Sequence, residues 1–80
     1  MVACKRDVTI FYDPGVDWHR GFAEYAKPQL ERHGYRVRLV AEPGRREIGM
    51  VTPFGVYSDP YQGFHVLKHM APELAGKCRG

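Results

Sequence analysis

The sequence predicts a small α/β domain, a strand, helix, strand, short connection, one or two further strands and a closing helix, and three stretches carry that prediction. Asp7 to Tyr12 is rich in β-branched and aromatic residues and is closed by Asp13-Pro14-Gly15, which is turn chemistry. From Trp18 onward Trp18, Phe22, Tyr25, Ala26 and Leu30 recur at spacings of three and four, the period of an amphipathic helix. Tyr35 to Glu42 sets Tyr35, Val37, Leu39 and Ala41 against Arg36, Arg38, Val40 and Glu42, the two-residue period of a strand.

Taken in order, the first strand is a buried one leading into a loop. Asp17 is placed to cap the first helix and Gly34 to end it, while Pro28 inside it removes a backbone donor and crowds the carbonyl of Glu24, predicting a kink or restart. The strand, helix and strand together fit a right-handed βαβ unit. Pro43 to Glu47 has room for a loop or one helical turn. Ile48 to Tyr57 returns to β-like composition interrupted by Pro53 and Gly55, and a central strand does not carry proline casually. After the turn at Ser58-Asp59-Pro60, Phe64, Leu67, Met70, Ala71 and Leu74 form a second apolar helical stripe, with Pro72 able to split it and Gly76 placed to stop it.

Eighty residues suffice for one compact domain, residues 1–80, with no internal repeat or linker. The 44% hydrophobic and 26% charged content argues against a disordered tail. No apolar run approaches the roughly 20 residues of a bilayer span, and no signal-peptide core follows the basic residues near Met1, so the expected location is cytoplasmic. Two cysteines, Cys4 and Cys78, are too few and too far apart for a secreted disulfide framework and form no Cys-x-x-Cys pair. The net charge of +3 favours solubility and an acidic partner without implying nucleic acid.

Two segments are similar to the NrdH redoxins, glutaredoxin-like proteins of the thioredoxin fold. Val8-Thr9-Ile10-Phe11-Tyr12-Asp13-Pro14-Gly15 resembles their opening strand and Pro-Gly loop, which the family follows with Cys-x-x-Cys; here Val16-Asp17-Trp18-His19 follows. Val51-Thr52-Pro53 resembles the segment carrying the family's cis-proline, and Tyr61-Gln62-Gly63-Phe64 the aromatic-x-Gly-Phe stretch opening its final helix. The resemblance spans most of residues 7 to 75. It implies a small thioredoxin-like fold, β-α-β-β-(β)-α, whose first helix is about one turn longer than the family pattern and whose second helix is shortened or absent. One sheet face is then poorly covered, and a homodimer is one way to cover it.

The same resemblance implies a redox-inactive protein, because Val16 and His19 stand at the two cysteine positions and neither can exchange a disulfide. On this reading no catalytic residue and no cofactor or metal is expected. Val16, Asp17, Trp18, His19, Thr52, Pro53, Gly63 and Phe64 form a former redox groove that binds another protein, with Tyr12, Trp18, Tyr57, Tyr61 and Phe64 partly clustered around it and some of these aromatics belonging to the core. His19 reads as an exposed first-turn residue, or as an acid, base or donor to a partner.

Cys4 and Cys78 are a candidate terminal thiol pair, read as free thiols or as a disulfide or metal-assisted clasp. Cys4 precedes the first strand, which at about 3.3 Å per residue carries the loop roughly 20 Å away. His65 and His69 share a helical face at metal-binding spacing, but no third ligand accompanies them, so they read as solvated. Two other functions stay open: electron donation to ribonucleotide reductase through a non-standard cysteine, and a small nucleic-acid-binding regulatory factor using Arg32, Arg36, Arg38, Arg45 and Arg46. Interleaved Glu31, Glu42 and Glu47 make the latter a solvated face first.

Overall fold

A computed structural model describes residues 6–77, and Cys4 and Cys78 lie outside them. The chain forms β1 (Asp7–Tyr12), α1 (Asp17–Arg32), β2 (Arg36–Ala41), β3 (Gly49–Thr52), β4 (Gly55–Tyr57) and α2 (Pro60–Lys77). The four strands make one mixed sheet in the order β2-β1-β3-β4. β2 lies parallel to β1, β3 antiparallel to β1, and β4 antiparallel to β3. It is a small α/β architecture with two helices, in the element order the sequence predicts.

The register decides which residues share a face. Val8 sits beside Val37, Ile10 between Leu39 and Met50, and Met50 beside Tyr57. These side chains turn toward the helices, where Val8, Ile10, Ile48, Met50, Phe22, Ala26, Leu30, Leu67, Ala71 and Leu74 form the core. Both helices therefore cover the same side of the sheet. On the other side the alternation puts Asp7, Thr9 and Phe11 of β1, Arg36, Arg38 and Val40 of β2, Val51 of β3 and Val56 of β4. Among the described residues no helix crosses that side, because the β2–β3 connection at Glu42–Ile48 is irregular.

Several local expectations need correction. The α1 N-cap is Val16, in extended conformation and without a side-chain cap, so Asp17 is the first helical residue and acts through its charge near the helix N-terminus. Pro28 lies within an uninterrupted α1, and Pro72 and Gly76 lie within an uninterrupted α2. A proline in a helix forfeits one bond of the ladder; here burial of Phe22, Ala26 and Leu30, and of Leu67, Ala71 and Leu74, holds both helices through it. Gly34 does end α1 as expected, at φ +95°, where a side chain is strained. Pro53 and Phe54 form the turn between β3 and β4, which is why the apolar run 48–57 yields two strands.

Just beyond the end of α1, Tyr35 is buried and its hydroxyl donates to the Leu67 carbonyl of α2 at 2.5 Å. Burial pushes the Tyr35 phenol above its ordinary value of 10.0. Tyr35→Phe is expected to cost about 1 to 2 kcal/mol at neutral pH through loss of this bond. The raised value means that Tyr35 supports folding fully below about pH 10. As pH rises further, the unfolded chain gives up its proton first and that support is lost. Urea unfolding at pH 8 and pH 11 checks both: the gap between parent and Tyr35→Phe narrows at the higher pH.

Candidate functional site

β1 ends at Tyr12, and the loop Asp13 to Val16 carries the chain directly into α1, so loop geometry and helix start are fixed together. Asp13 organises the loop. Its Oδ1 accepts from the Gly15 N–H at 2.8 Å, its Oδ2 from the Gly44 N–H at 3.0 Å, and its carbonyl from the Val16 N–H at 3.1 Å. One carboxylate thus ties the β1–α1 loop to the β2–β3 connection, a long-range role hidden in what reads locally as a turn residue. Arg20 Nη2 donates to Asp17 Oδ1 at 3.0 Å on the exposed side of the first turn.

His19 is buried, 1% exposed, in contrast to the exposed position expected for it. Its Nδ1 accepts from the Asp13 N–H at 3.2 Å, which leaves the proton of the neutral ring on Nε2, and Nε2 is buried without a partner among the described residues. The Trp18 ring meets it edge-on, with centroids 4.2 Å apart. A histidine so enclosed braces the loop; it is not presented to solvent as an acid or base. The reason is helix phase: three residues after the cap, His19 turns onto the inner face together with Phe22, Ala23 and Ala26.

The remaining candidate residues divide into two places. Val16, Asp17, Trp18 and His19 stand at the C-terminal end of β1, and α2 starts at that same end, since Tyr57 pairs with Met50 and Asp59 leads into the helix. Asp59 Oδ1 accepts from the Tyr61 and Gln62 N–H groups at 3.0 and 3.3 Å, capping α2. Phe22 then packs edge-on against Tyr61 and Phe64 at 5.8 and 6.2 Å, and Tyr25 against Phe64 at 5.8 Å. Trp18, Tyr25 and Tyr61 are 50, 59 and 70% exposed; Tyr25 and Tyr61 form an aromatic ridge across the two helices through Phe64 and Phe22, and Trp18 lies about one turn before Phe22 on α1. Tyr25, expected on the buried stripe, joins this outer ridge. Tyr12 and Tyr57 instead pack against the core.

Gly63 is buried where α2 crosses the sheet. A Cβ there would stand 2.8 Å from Met50 Sδ and 3.2 Å from Tyr57 Cβ, so this glycine serves close packing and offers no contact surface.

Thr52 and Pro53 do not join the loop. Thr9 pairs with Val51, so Thr52 is level with Val8, about five residues or 16 Å from Asp13 along the strand direction. The peptide bonds among the described residues are all trans, Thr52–Pro53 included. Thr52 Oγ1 donates to the Gly55 carbonyl at 2.8 Å and accepts from the Phe54 N–H at 3.1 Å, closing the β3–β4 turn. The strand residue next to the loop end of β1 is Gly49, paired with Phe11. The expectation of one groove containing both Thr52-Pro53 and Trp18-His19 is therefore corrected: antiparallel pairing of β3 sends Pro53 to the opposite end of the sheet.

Among the described residues no group of three or more His, Cys, Asp and Glu stands close enough to hold a metal ion, and His65 and His69 stack at 6.5 Å on the exposed side of α2. Of the arginines, Arg45 bonds Glu42 Oε1 at 2.8 Å and the Glu47 carbonyl at 3.0 Å and covers the Phe11 ring at 5.6 Å. Arg36 and Arg38 sit side by side on the open sheet face, apart from Arg32 at the end of α1. Arg45 reaches the same face through Phe11, where its guanidinium is engaged by Glu42 and the Glu47 carbonyl. No helix of the described residues is long and apolar enough to cross a membrane. Comparison with known proteins gives no match, whether to a family model, a curated protein or a solved structure.

Proposed function

We propose that this chain is a thioredoxin-like, NrdH-redoxin-like binding protein that has lost exchange chemistry and engages another protein through the aromatic ridge beside the former redox loop. The observation that carries the reading is the pairing of a braced, thiol-free loop with exposed Trp18, Tyr25 and Tyr61. Val16 at the cap of α1 and His19 three residues on offer no thiol for exchange, and the His19 ring is committed to the Asp13 N–H. Large amphipathic aromatics that remain exposed beside packed ones are the residue types that dominate binding energy. The strand order β2-β1-β3-β4 with a single parallel pair adds support, being compatible with a trimmed redoxin scaffold. The contact set is Val16, Asp17, Trp18, Tyr25, Tyr61 and Phe64; Gly63, Thr52 and Pro53 leave it.

Two measurements test this. The full chain with dithiothreitol is expected to reduce insulin disulfides no faster than dithiothreitol alone; turnover that vanishes in Cys4→Ser or Cys78→Ser instead establishes the electron-donor reading. Extended peptides selected from a displayed library against the full chain are expected to lose at least tenfold in affinity on Trp18→Ala, or about 1.4 kcal/mol or more, and nothing on Thr52→Ala. Unchanged affinity in Trp18→Ala removes the ridge as the binding site.

A further inference from the structure

The sheet face away from the helices carries two kinds of residue. Its apolar residues are Val40 and Phe11, both partly buried and with Arg45 lying over the Phe11 ring, and the exposed pair Val51 and Val56, with Thr9 between Val51 and Arg38. Val51 is 41% and Val56 75% exposed, values at odds with a finished sheet surface made of β-branched residues. Along the outer strand β2 stand Arg36 and Arg38, both exposed, and neither ion-pairs with a described residue. Their cross-strand neighbours are Asp7 and Thr9, and Asp7 makes no ion pair with either arginine. A shallow depression of about 210 Å³ lies between β1 and β2 at this edge, lined by Asp7, Thr9, Arg36 and Arg38 among others.

We propose that this open face is a docking surface for an amphipathic helix of another protein, apolar along one side and rimmed with carboxylates that meet Arg36 and Arg38. A two-layer α/β domain is completed when helices cover a sheet on both sides, and the irregular Glu42–Ile48 connection leaves that second layer unfilled from within the described chain. The charge selects the occupant. Arginine favours planar, bidentate pairing with carboxylates, and the overall charge of +3 draws an acidic segment toward the molecule.

A second copy fits worse. In the two aligned two-fold packings of this face on itself, β2 lies antiparallel over the other copy's β2, bringing Arg38 against Arg38 and Arg36 toward Val40, or over its β4, whose residues Gly55, Val56 and Tyr57 include no carboxylate. Single-stranded nucleic acid also fits worse. Binding of bases to a sheet rests on several stacking aromatics, whereas this face carries only Phe11, already covered by Arg45. The face spans strands of up to six residues, about 20 Å, which a helix of roughly 13 residues matches. This surface lies across the sheet from the α1–α2 ridge, and the proposal stands or falls independently of the function given above.

The test uses two synthetic 18-residue helical peptides with the same leucine stripe, one flanked by glutamate and one by lysine, titrated into the isotopically labelled full chain. The glutamate peptide is expected to bind saturably, shift the amides of Val40, Val51 and Val56 rather than those of Trp18 and Tyr61, and bind at least tenfold more tightly than the lysine peptide. Arg36→Glu/Arg38→Glu is expected to reverse that preference, and Val56→Glu to weaken both peptides while leaving the folded spectrum intact. Equal binding of the two peptides, absence of saturable binding, a concentration-dependent dimer abolished by Val56→Glu, or salt-sensitive binding of an oligonucleotide on this face each overturns the proposal.

Discussion

Replacing Ile10 by alanine is expected to destabilise the protein by about 3 to 4 kcal/mol, within the range for deleting a buried aliphatic side chain. Ile10 is fully buried in the middle of the central strand, between Leu39 of β2 and Met50 of β3. The neighbouring backbones are fixed by hydrogen-bonded pairing on both sides, so the sheet cannot close over the vacated volume and the cavity persists. A chain of this size has a total stability of about 4 to 12 kcal/mol, so the variant retains a small margin or none. Chemical denaturation with the tryptophan signal measures the loss. A cost below about 1 kcal/mol shows that Ile10 is not at the centre of the core. Thr9→Ala, one residue along and facing the open side, is the control and is expected to stay within about 0.5 kcal/mol.

Valine at Gly63 has the second large effect, from the opposite cause. Even a methyl group there meets the Met50 sulfur and the Tyr57 Cβ. The methionine can swing aside because its thioether is adaptable, but the Tyr57 Cβ is anchored to the β4 backbone. Gly63→Ala is therefore expected to cost about 1 to 3 kcal/mol and Gly63→Val more, through displacement of α2 from the sheet. Gly21 in α1 supplies the contrast. No atom lies within 4 Å of the Cβ it lacks, and it is exposed, so Gly21→Ala is expected to stabilise by up to about 1 kcal/mol. Equal effects at the two glycines would show that the α2–sheet contact is loose. The comparison also separates structure from binding: a peptide-binding defect in Gly63→Ala that disappears under strongly stabilising conditions belongs to packing.

These two variants bear on how the site can be understood. Gly63 sits within an aromatic-x-Gly-Phe stretch that looks functional as a string of letters, yet its neighbours Met50 and Tyr57 explain it as the point of closest approach between helix and sheet. His19 is similar. It is the last residue of Val16-Asp17-Trp18-His19, a segment that reads as a candidate contact, yet its ring is turned inward to hold the Asp13 N–H. The orphaned Nε2 is the residual cost of that arrangement, since a buried donor without a partner forfeits its hydration. Trp18, one residue earlier, is left half exposed on the outer side of α1, with its ring edge-on to His19.

By itself the sequence determined the elements. The β-branched run of β1, the three-and-four spacing of α1 and α2, the alternation of β2 and the Asp-Pro-Gly turn are local properties, set by φ/ψ preferences and side-chain period over a few residues, and they reappear in the fold. It also showed that the β2–β3 connection has room for a loop or one helical turn only; that both helices lie on one side of the sheet is seen in the fold. What the tertiary structure alone decided is which distant residues meet. Val51-Thr52-Pro53 carries no mark of strand direction; only the antiparallel pairing of Thr9 with Val51 sends Pro53 away from Trp18. The Asp13 bond to Gly44, 31 residues on, and the crowding of Gly63 against Met50 are likewise invisible to any local window. Register, helix phase and close approach arise from the packing of the whole core, and a difference of one residue in any of them exchanges a buried side chain for an exposed one.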